Sequence, residues 1–348
     1  MQSILQIATA VYLPIIAAAL VGVLLSLGLT RTGKTIRNQP VQELLPDVLA
    51  RVLYLVGIPI GVANFIRKAE FNPSVWLSPV IAWSAVLLAI FLSWHFLKGS
   101  STPRPKSTKA SFVLLSYLGN TSYLGFPVIL LLPQLGPQYF SSAVLYDILG
   151  TLVAGYGLGV FIAGQASRTG SEGNSSTGNR VSESGLTMTT SKRGSLAAVL
   201  DSLTEVAKNP TFYAFFIGLY LKTLTIPDWL VSGLGAIAWS SIMIALIVMG
   251  MRIQQLSSKL NLKLAIQPVL IKTILVPLVL AAALTGFGFE GPQRLVLILQ
   301  SAMPCGFVSL VLAENYGLDV ELTVASILLS CIVFAFMLPV WTTLFTTW

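Results

Sequence analysis

Long apolar runs alternate with shorter polar segments along the whole chain. A helix needs about 20 apolar residues to cross the hydrocarbon core of a bilayer. Runs of about that length predict ten transmembrane helices, called spans 1 to 10 here, and therefore an all-α membrane protein. The ten spans cover residues 8–29, 47–66, 75–97, 110–132, 139–166, 207–226, 229–251, 264–286, 293–313 and 321–345.

The composition agrees with this pattern, because 55% of the 348 residues are hydrophobic and 10% are charged. Soluble domains carry about 25% charged residues. The net charge of +8 does not indicate nucleic-acid binding, because most lysines and arginines lie in the loops after spans 1, 3, 5 and 7. The positive-inside rule then predicts that these loops are cytoplasmic and that both termini lie outside a cell membrane.

The longest loop divides the chain into two halves of five spans. Residues 167–208 are rich in Ser, Gly, Thr and Asn, which is typical of a disordered linker. The predicted domains are a first repeat at 1–166, this cytoplasmic linker, and a second repeat at 209–348. Because five is an odd number, the second half enters the membrane from the opposite side. Homologous halves would form an inverted repeat.

The fourth span of each half contains residues that oppose helix formation. Span 4 contains G-N-T-S-Y-L-G-F-P-V-I (119–129), and span 9 contains S-A-M-P-C-G-F-V-S (301–309). Proline removes a helical hydrogen bond, and in hydrocarbon the freed backbone groups need partners from protein, water or ligand. Paired breaks in corresponding spans point to the binding site of a transporter, and half-helix N-termini favour an anion.

The residues at the two breaks are therefore candidates for binding a substrate. The alternative is ordinary packing, since other spans also contain prolines. The substrate-binding candidates are Asn120, Thr121, Ser122, Gly125, Pro127, Gln300, Ser301, Pro304, Cys305 and Gly306.

Two ionisable residues lie well inside predicted spans, where such residues are functional candidates by default. Asp147 in span 5 could carry a proton, hold a cation or pair with Lys272. Lys272 in span 8 could attract a substrate carboxylate. The structural alternative for both is an ion pair or snorkelling to the membrane interface.

The sequence around the breaks resembles the auxin efflux carrier family, which comprises the plant PIN proteins and bacterial relatives. Asn120, Gly125 and Pro127 match the Asn-x4-Gly-x-Pro signature of that family. The segment A-M-P-C-G-F-V-S-L-V-L-A-E-N-Y-G-L-D (302–319) is similar to its Ala-x-Pro segment with a following Tyr-Gly turn. Cys305-Gly306 departs from the polar residues expected after the second proline.

The resemblance implies a ten-helix fold of two inverted repeats, shared in outline with the bile acid:sodium symporters. Spans 4 and 9 would cross at their prolines and bind a small organic anion, such as an auxin-like compound or a dicarboxylate. Spans 1, 2, 6 and 7 would form a scaffold, the other spans a transport domain, and the scaffold would form homodimers.

Other classes of function have weaker support in the sequence. One histidine and two separate cysteines predict no metal or other cofactor, and the absence of a nucleophile–base pattern argues against an enzyme. A sodium-coupled symporter of the bile-acid type stays open as an alternative, and a membrane receptor or sensor is less favoured. The single intramembrane acid favours uniport or proton coupling over sodium.

Overall fold

A computed structural model describes residues 8–33, 35–36, 39–99, 104–167, 207–256 and 262–345. A two-residue hairpin, β1 (Thr35–Ile36) with β2 (Gln39–Pro40), joins the first two of its helices. The helices are α1 (Thr9–Thr32), α2 (Val41–Lys68), α3 (Pro73–Lys98), α4 (Lys106–Tyr117), α5 (Thr121–Leu131), α6 (Pro137–Ser167), α7 (Pro210–Lys222), α8 (Asp228–Gln255), α9 (Leu262–Gly286), α10 (Pro292–Ala302), α11 (Val308–Tyr316) and α12 (Val320–Phe345).

Seven helices of the described chain are long and apolar enough to cross a membrane, namely α1, α2, α3, α6, α8, α9 and α12. The protein is therefore a multi-pass membrane protein. Predicted span 4 corresponds to the pair α4 and α5, and span 9 to the pair α10 and α11. Predicted span 6 corresponds to α7, which has 13 residues. The total of ten spans stays a prediction, and the linker predicted at 167–208 lies almost wholly outside the described residues.

Four prolines inside apolar helices share one local arrangement. Pro14, Pro59, Pro127 and Pro277 are each the second residue of an α-helical segment that directly follows a five-residue π-helix. Proline has no N–H to bond the carbonyl four residues earlier, and a π-turn gives neighbouring backbone groups different partners. At two of these sites the residue before the proline donates to the carbonyl five residues earlier, Ile58 to Leu53 and Val276 to Ile271.

The helices pack as two groups. Group A consists of α1, α2, α7 and α8, in which α1 packs along α8 and α7 packs along α2. Two glycines bring α1 and α8 together, because a Cβ on Gly22 would lie 2.0 Å from the Ile247 carbonyl oxygen and one on Gly250 would lie 2.0 Å from that of Ala19. Group B consists of α3 to α6 and α9 to α12.

The two groups differ in how deeply their helices are buried. In α10 of group B every residue from Gln293 to Ala302 is buried. In α1 of group A four residues are buried, and large apolar side chains such as Leu13 and Leu24 are each 65% exposed. Group B therefore contains a helix enclosed by protein on all sides, whereas much of α1 is free to contact lipid.

Candidate functional site

The two broken spans meet backbone to backbone. Gly119, between α4 and α5, forms an antiparallel bridge with Cys305, between α10 and α11. The Asn120 N–H donates to the Pro304 carbonyl oxygen at 2.8 Å, and the Gly306 N–H donates to the Leu118 carbonyl oxygen at 3.0 Å. Each break thus provides partners for backbone groups that the other break leaves unpaired, as the membrane interior requires. This paired contact is called the crossing.

The crossing differs in one respect from the prediction that spans 4 and 9 meet at their prolines. Pro304 is part of the crossing through its carbonyl oxygen. Pro127 lies beyond it, as the second residue of the α-helical segment Phe126–Leu131. The π-helix Thr121–Gly125 accommodates Pro127, and the chain leaves helical geometry earlier, at Leu118, whose ψ of 113° is extended.

A cavity opens beside the crossing, between group A and group B. It contains about 620 Å³ of empty space, part of which is open to the outside. Its walls come from α2, the segment 118–120, the start of α5, the middle of α6, the start of α7 and Val308 of α11. This space is called the crossing cavity. Asn120, Thr121 and Ser122 line it, and so does Asp147.

Asp147 is the charged side chain among the described residues that line the crossing cavity, and it is 4% exposed. The Thr121 hydroxyl donates to its Oδ1, and the Ser122 hydroxyl donates to its Oδ2 at 2.7 Å. Both hydroxyl hydrogens are therefore directed at a carboxylate of the protein. While Asp147 is ionised, these two side chains have no hydroxyl hydrogen left to donate to a substrate anion.

Asn120 has the opposite character, since it keeps an unused donor. Its side-chain Oδ1 accepts from the Leu124 N–H at 3.2 Å and caps the start of α5. Its Nδ2 has no hydrogen-bond partner among the described residues, although the residue is 3% exposed. A buried donor without an acceptor costs about 1–3 kcal/mol. An acceptor from a bound molecule would remove that cost.

Lys272 lies behind the crossing, at 3% exposure, in the π-helix Ile271–Leu275 of α9. Its Nζ donates to the Ser301 carbonyl oxygen at 2.7 Å. A Cβ added to Gly119 would lie 2.9 Å from the same nitrogen. Asp147 and Lys272 thus have separate partners and do not pair with each other, which removes the ion pair as an explanation for either residue.

The span 9 candidates are buried in protein. Both amide atoms of Gln300 lack hydrogen-bond partners in the described ranges, and its Oε1 would lie 2.7 Å from a Cβ added to Gly125. The Ser301 hydroxyl donates to the Ile298 carbonyl oxygen at 2.7 Å. The Cys305 thiol donates to the Leu115 carbonyl oxygen at 3.3 Å. None of the five span 9 candidates is among the described residues that line the crossing cavity.

The sequence of the chain is similar to those of known membrane transport proteins. The profile of a family described as membrane transport protein matches residues 47–342. The chain belongs to this family, that of the auxin efflux carriers. An uncharacterized transporter of Methanocaldococcus jannaschii is 23% identical to this chain over an alignment of 306 residues, and the match covers 84% of this chain and 88% of that relative. The family resemblance derived from the breaks in spans 4 and 9 is confirmed.

The crossing cavity of the carrier also has walls that the sequence did not indicate. Tyr54 of α2, Thr151 and Tyr156 of α6, and Asn209 and Thr211 at the start of α7 all line it. The pair Asn209-Pro210 is a helix-start signal, because Asn is a favoured N-cap and Pro is favoured at the first helical position. That signal marks where a helix begins but not what the beginning faces.

A second cavity of the carrier lies on the other side of the start of α5. It contains about 370 Å³ of empty space and is lined by α2, α5 and α8, with Phe140 of α6. Pro127 lines it. Ile58, Ser122 and Tyr123 line both cavities. These three residues therefore form the partition between two spaces along one interface of group A with group B.

Proposed function

We propose that the protein is a secondary transporter of small organic anions that works by alternating access, with the substrate bound at the crossing. One observation carries this proposal. Two broken helices satisfy each other's backbone at a place where a cavity opens between two helix groups. Broken spans are tolerated at membrane depth where they line a cavity or are enclosed by protein. Such breaks form the substrate sites of many secondary transporters.

The two helix groups support a moving-domain mechanism. Group A has the helices expected for a scaffold, and group B has those expected for a transport domain. The crossing cavity and the second cavity both lie along their interface, on the two sides of Ile58, Ser122 and Tyr123. In the proposed cycle group B moves relative to group A. The partition then closes first one cavity and then the other, and the substrate passes between them.

The pattern of helix packing supports the inverted repeat and the division at residues 167–208. An inverted repeat relates each span to the span five places away, so that α1 corresponds to α7 and α2 corresponds to α8. The contact of α1 with α8 then corresponds to the contact of α7 with α2, and both contacts are present. The contact of α3 with α4 likewise becomes that of α9 with α10. Ten spans, termini outside a cell membrane and homodimers through group A belong to the same proposal.

An anion is the substrate class that the crossing favours. The helix pair α5 and α11 begins at the breaks, and Thr121 and Val308 at these beginnings line the crossing cavity. Helix N-termini carry partial positive charge. The unpaired Nδ2 of Asn120 adds a donor. Gln300, Ser301, Pro304, Cys305 and Gly306 contribute by shaping the crossing from behind, together with Gly125 and Lys272.

A sodium-coupled symporter remains the second candidate because of one cluster of oxygens. The Asp147 carboxylate and the hydroxyls of Thr121 and Ser122 meet within hydrogen-bond distance, and hard cations bind to such oxygens. A membrane receptor or sensor has no comparable observation in its favour. Family membership also favours transport over enzymatic activity.

Substrate flux into liposomes tests the transport proposal. Purified protein is reconstituted without sodium, and uptake of a panel of radiolabelled mono- and dicarboxylates is measured for the wild type and Asn120→Ala. We expect saturable uptake that the variant loses, while Asn72→Ala, the same change at an exposed asparagine outside the cavities, transports normally.

The other outcomes separate the two candidates. Uptake that requires sodium and disappears in Asp147→Asn would favour the symporter. No uptake of any carboxylate with or without sodium would overturn the anion-transport proposal.

A further inference from the structure

Three helices begin at the crossing cavity. Thr121 and Val308 start α5 and α11 in group B, and Asn209 and Thr211 belong to the start of α7 in group A. No lysine or arginine is among the described residues that line this cavity, and Asp147 contributes negative charge. The donors that touch an anion there must therefore be helix N-termini and uncharged polar side chains, while Lys272 adds positive charge from behind Gly119.

The start of α7 is ordered by its own side-chain cap. Asn209 is 2% exposed, and its Oδ1 accepts from the Thr211 N–H at 2.9 Å. The Asn209 carbonyl oxygen accepts from the Phe212 N–H at 3.0 Å, and Pro210 has no N–H. With the backbone donors satisfied, α7 can offer an anion its dipole, the Asn209 Nδ2 and the Thr211 hydroxyl.

Asn120 provides an independent indication of a ligand in the same cavity. Within the part of the chain that the structure describes, its Nδ2 lacks a partner while the residue is 3% exposed, and its other amide atom is already used as the cap of α5. Two capping asparagines, one from each helix group, thus line one cavity. A carboxylate is the acceptor that would use the spare amide donor on each asparagine.

We infer that Asn209 and Thr211, at the N-terminus of α7, form a carboxylate-binding subsite on group A. The inference rests on the proposed function and extends it. The anion is held by the moving group through Asn120 and by the stationary group through Asn209 and Thr211. Because α7 belongs to group A, movement of group B carries Asn120 away from Asn209 and Thr211. The subsite would therefore bind the anion in one of the two orientations of the carrier.

The test uses variants that keep the helix cap. Asn209→Asp retains a capping oxygen and nearly the same shape but replaces the amide donor with a negative charge. Thr211→Val retains the backbone N–H and removes only the hydroxyl. We expect the KM for radiolabelled carboxylate uptake to rise at least about tenfold in Asn209→Asp and about threefold in Thr211→Val.

A matched control places the same charge elsewhere. Asn72→Asp changes an exposed asparagine outside the cavities and is expected to leave the KM unchanged. Thermal unfolding in detergent establishes that each variant is folded. Asn209→Ser, which also retains a capping oxygen and loses the amide donor, replaces Asn209→Asp if that variant does not fold, with an expected rise in KM of about threefold.

The outcomes distinguish failure of the α7 subsite from failure of the proposed transport function. Wild-type uptake that Asn120→Ala abolishes, with an unchanged KM in Asn209→Asp and Thr211→Val, would overturn the subsite and leave the proposed function standing. A fall in maximal rate at constant KM would also overturn it, because it would indicate a structural role for α7. Absence of uptake by the wild type would overturn both.

Discussion

The breaks in spans 4 and 9 have matching backbones but different surroundings. At the span 4 break Asn120, Thr121 and Ser122 line a cavity, and one of their donors is unused. At the span 9 break Met303 and Cys305 are at most 1% exposed and packed inside group B. The backbones exchange two hydrogen bonds in a nearly symmetric way. The side chains do not share that symmetry.

Symmetry between the backbones of two repeats therefore does not imply that both breaks carry the same polar side chains. A pseudo-twofold arrangement requires both helices to break, because each break provides hydrogen-bond partners for the other. It does not require both breaks to face the substrate. The span 4 break carries the polar groups, while the span 9 break supports it from behind. Substitutions at and around the two breaks should therefore have unequal effects.

The largest effect is expected at Asn120. Asn120→Asp keeps the cap of the Leu124 N–H but turns the spare donor into a negative charge near Asp147. Carboxylate uptake should fall about 100-fold, equivalent to about 2.7 kcal/mol. Cys305→Ala, the matched change at the other break, should alter uptake less than about threefold. Equal losses at both breaks would contradict the one-sided site.

A smaller loss, in stability, is expected for Lys272→Met. The Ser301 carbonyl oxygen then loses its buried donor, so the free energy of unfolding should fall by about 1–3 kcal/mol. Thermal unfolding in detergent measures this. Lys222→Met removes a similar contact with the Ala69 carbonyl oxygen at an exposed position, where water can replace the lysine. A similar loss in both variants would mean that the buried position of Lys272 is not decisive.

The glycines of the crossing should differ from each other. A Cβ at Gly306 would lie 3.0 Å from the Gly119 backbone oxygen, which cannot move without disturbing the bridge. A Cβ at Gly119 would instead meet the end of the flexible Lys272 side chain. Gly306→Ala should therefore destabilise the protein by about 1 kcal/mol, and Gly119→Ala by less. The opposite order in thermal unfolding would show that the crossing adjusts mainly on the span 9 side.

The smallest effect is expected from Asp147→Asn. Removing the negative charge from the crossing cavity should lower the KM for carboxylate uptake about threefold, which corresponds to about 0.7 kcal/mol. Asp228→Asn, at the exposed start of α8, provides a control for net charge. Abolished uptake in Asp147→Asn would instead assign Asp147 to a coupling ion.

Much of the architecture is predictable from sequence because apolar run length and glycine or proline placement report directly on membrane helices. The positions of the breaks follow from Gly119 and from Met303 to Gly306 on the same grounds. The role of Pro127 does not, because a proline can be accommodated by a π-turn without ending the helix. Whether it does so depends on neighbouring helices that local sequence does not specify.

The candidate site is predictable only in part, for a different reason. The polar run at Asn120 is conspicuous among apolar residues, so sequence identifies the group B side. Asn209 and Thr211 lie at the edge of a polar linker, where polar residues carry no signal. Their proximity to the crossing depends on how α7 packs against α2. The partners of Asp147 likewise depend on the packing of α5 against α6.

The π-turns before Pro59 and Pro277 lie inside α2 and α9 and change the angular phase of these two helices. One additional residue in a turn rotates the rest of the helix by about 100° relative to an uninterrupted α-helix. The buried stripe before each of these turns and the buried stripe after it are therefore out of register. A single-residue deletion within such a turn would bring the two stripes back into phase and present the wrong face of the second half to its neighbours.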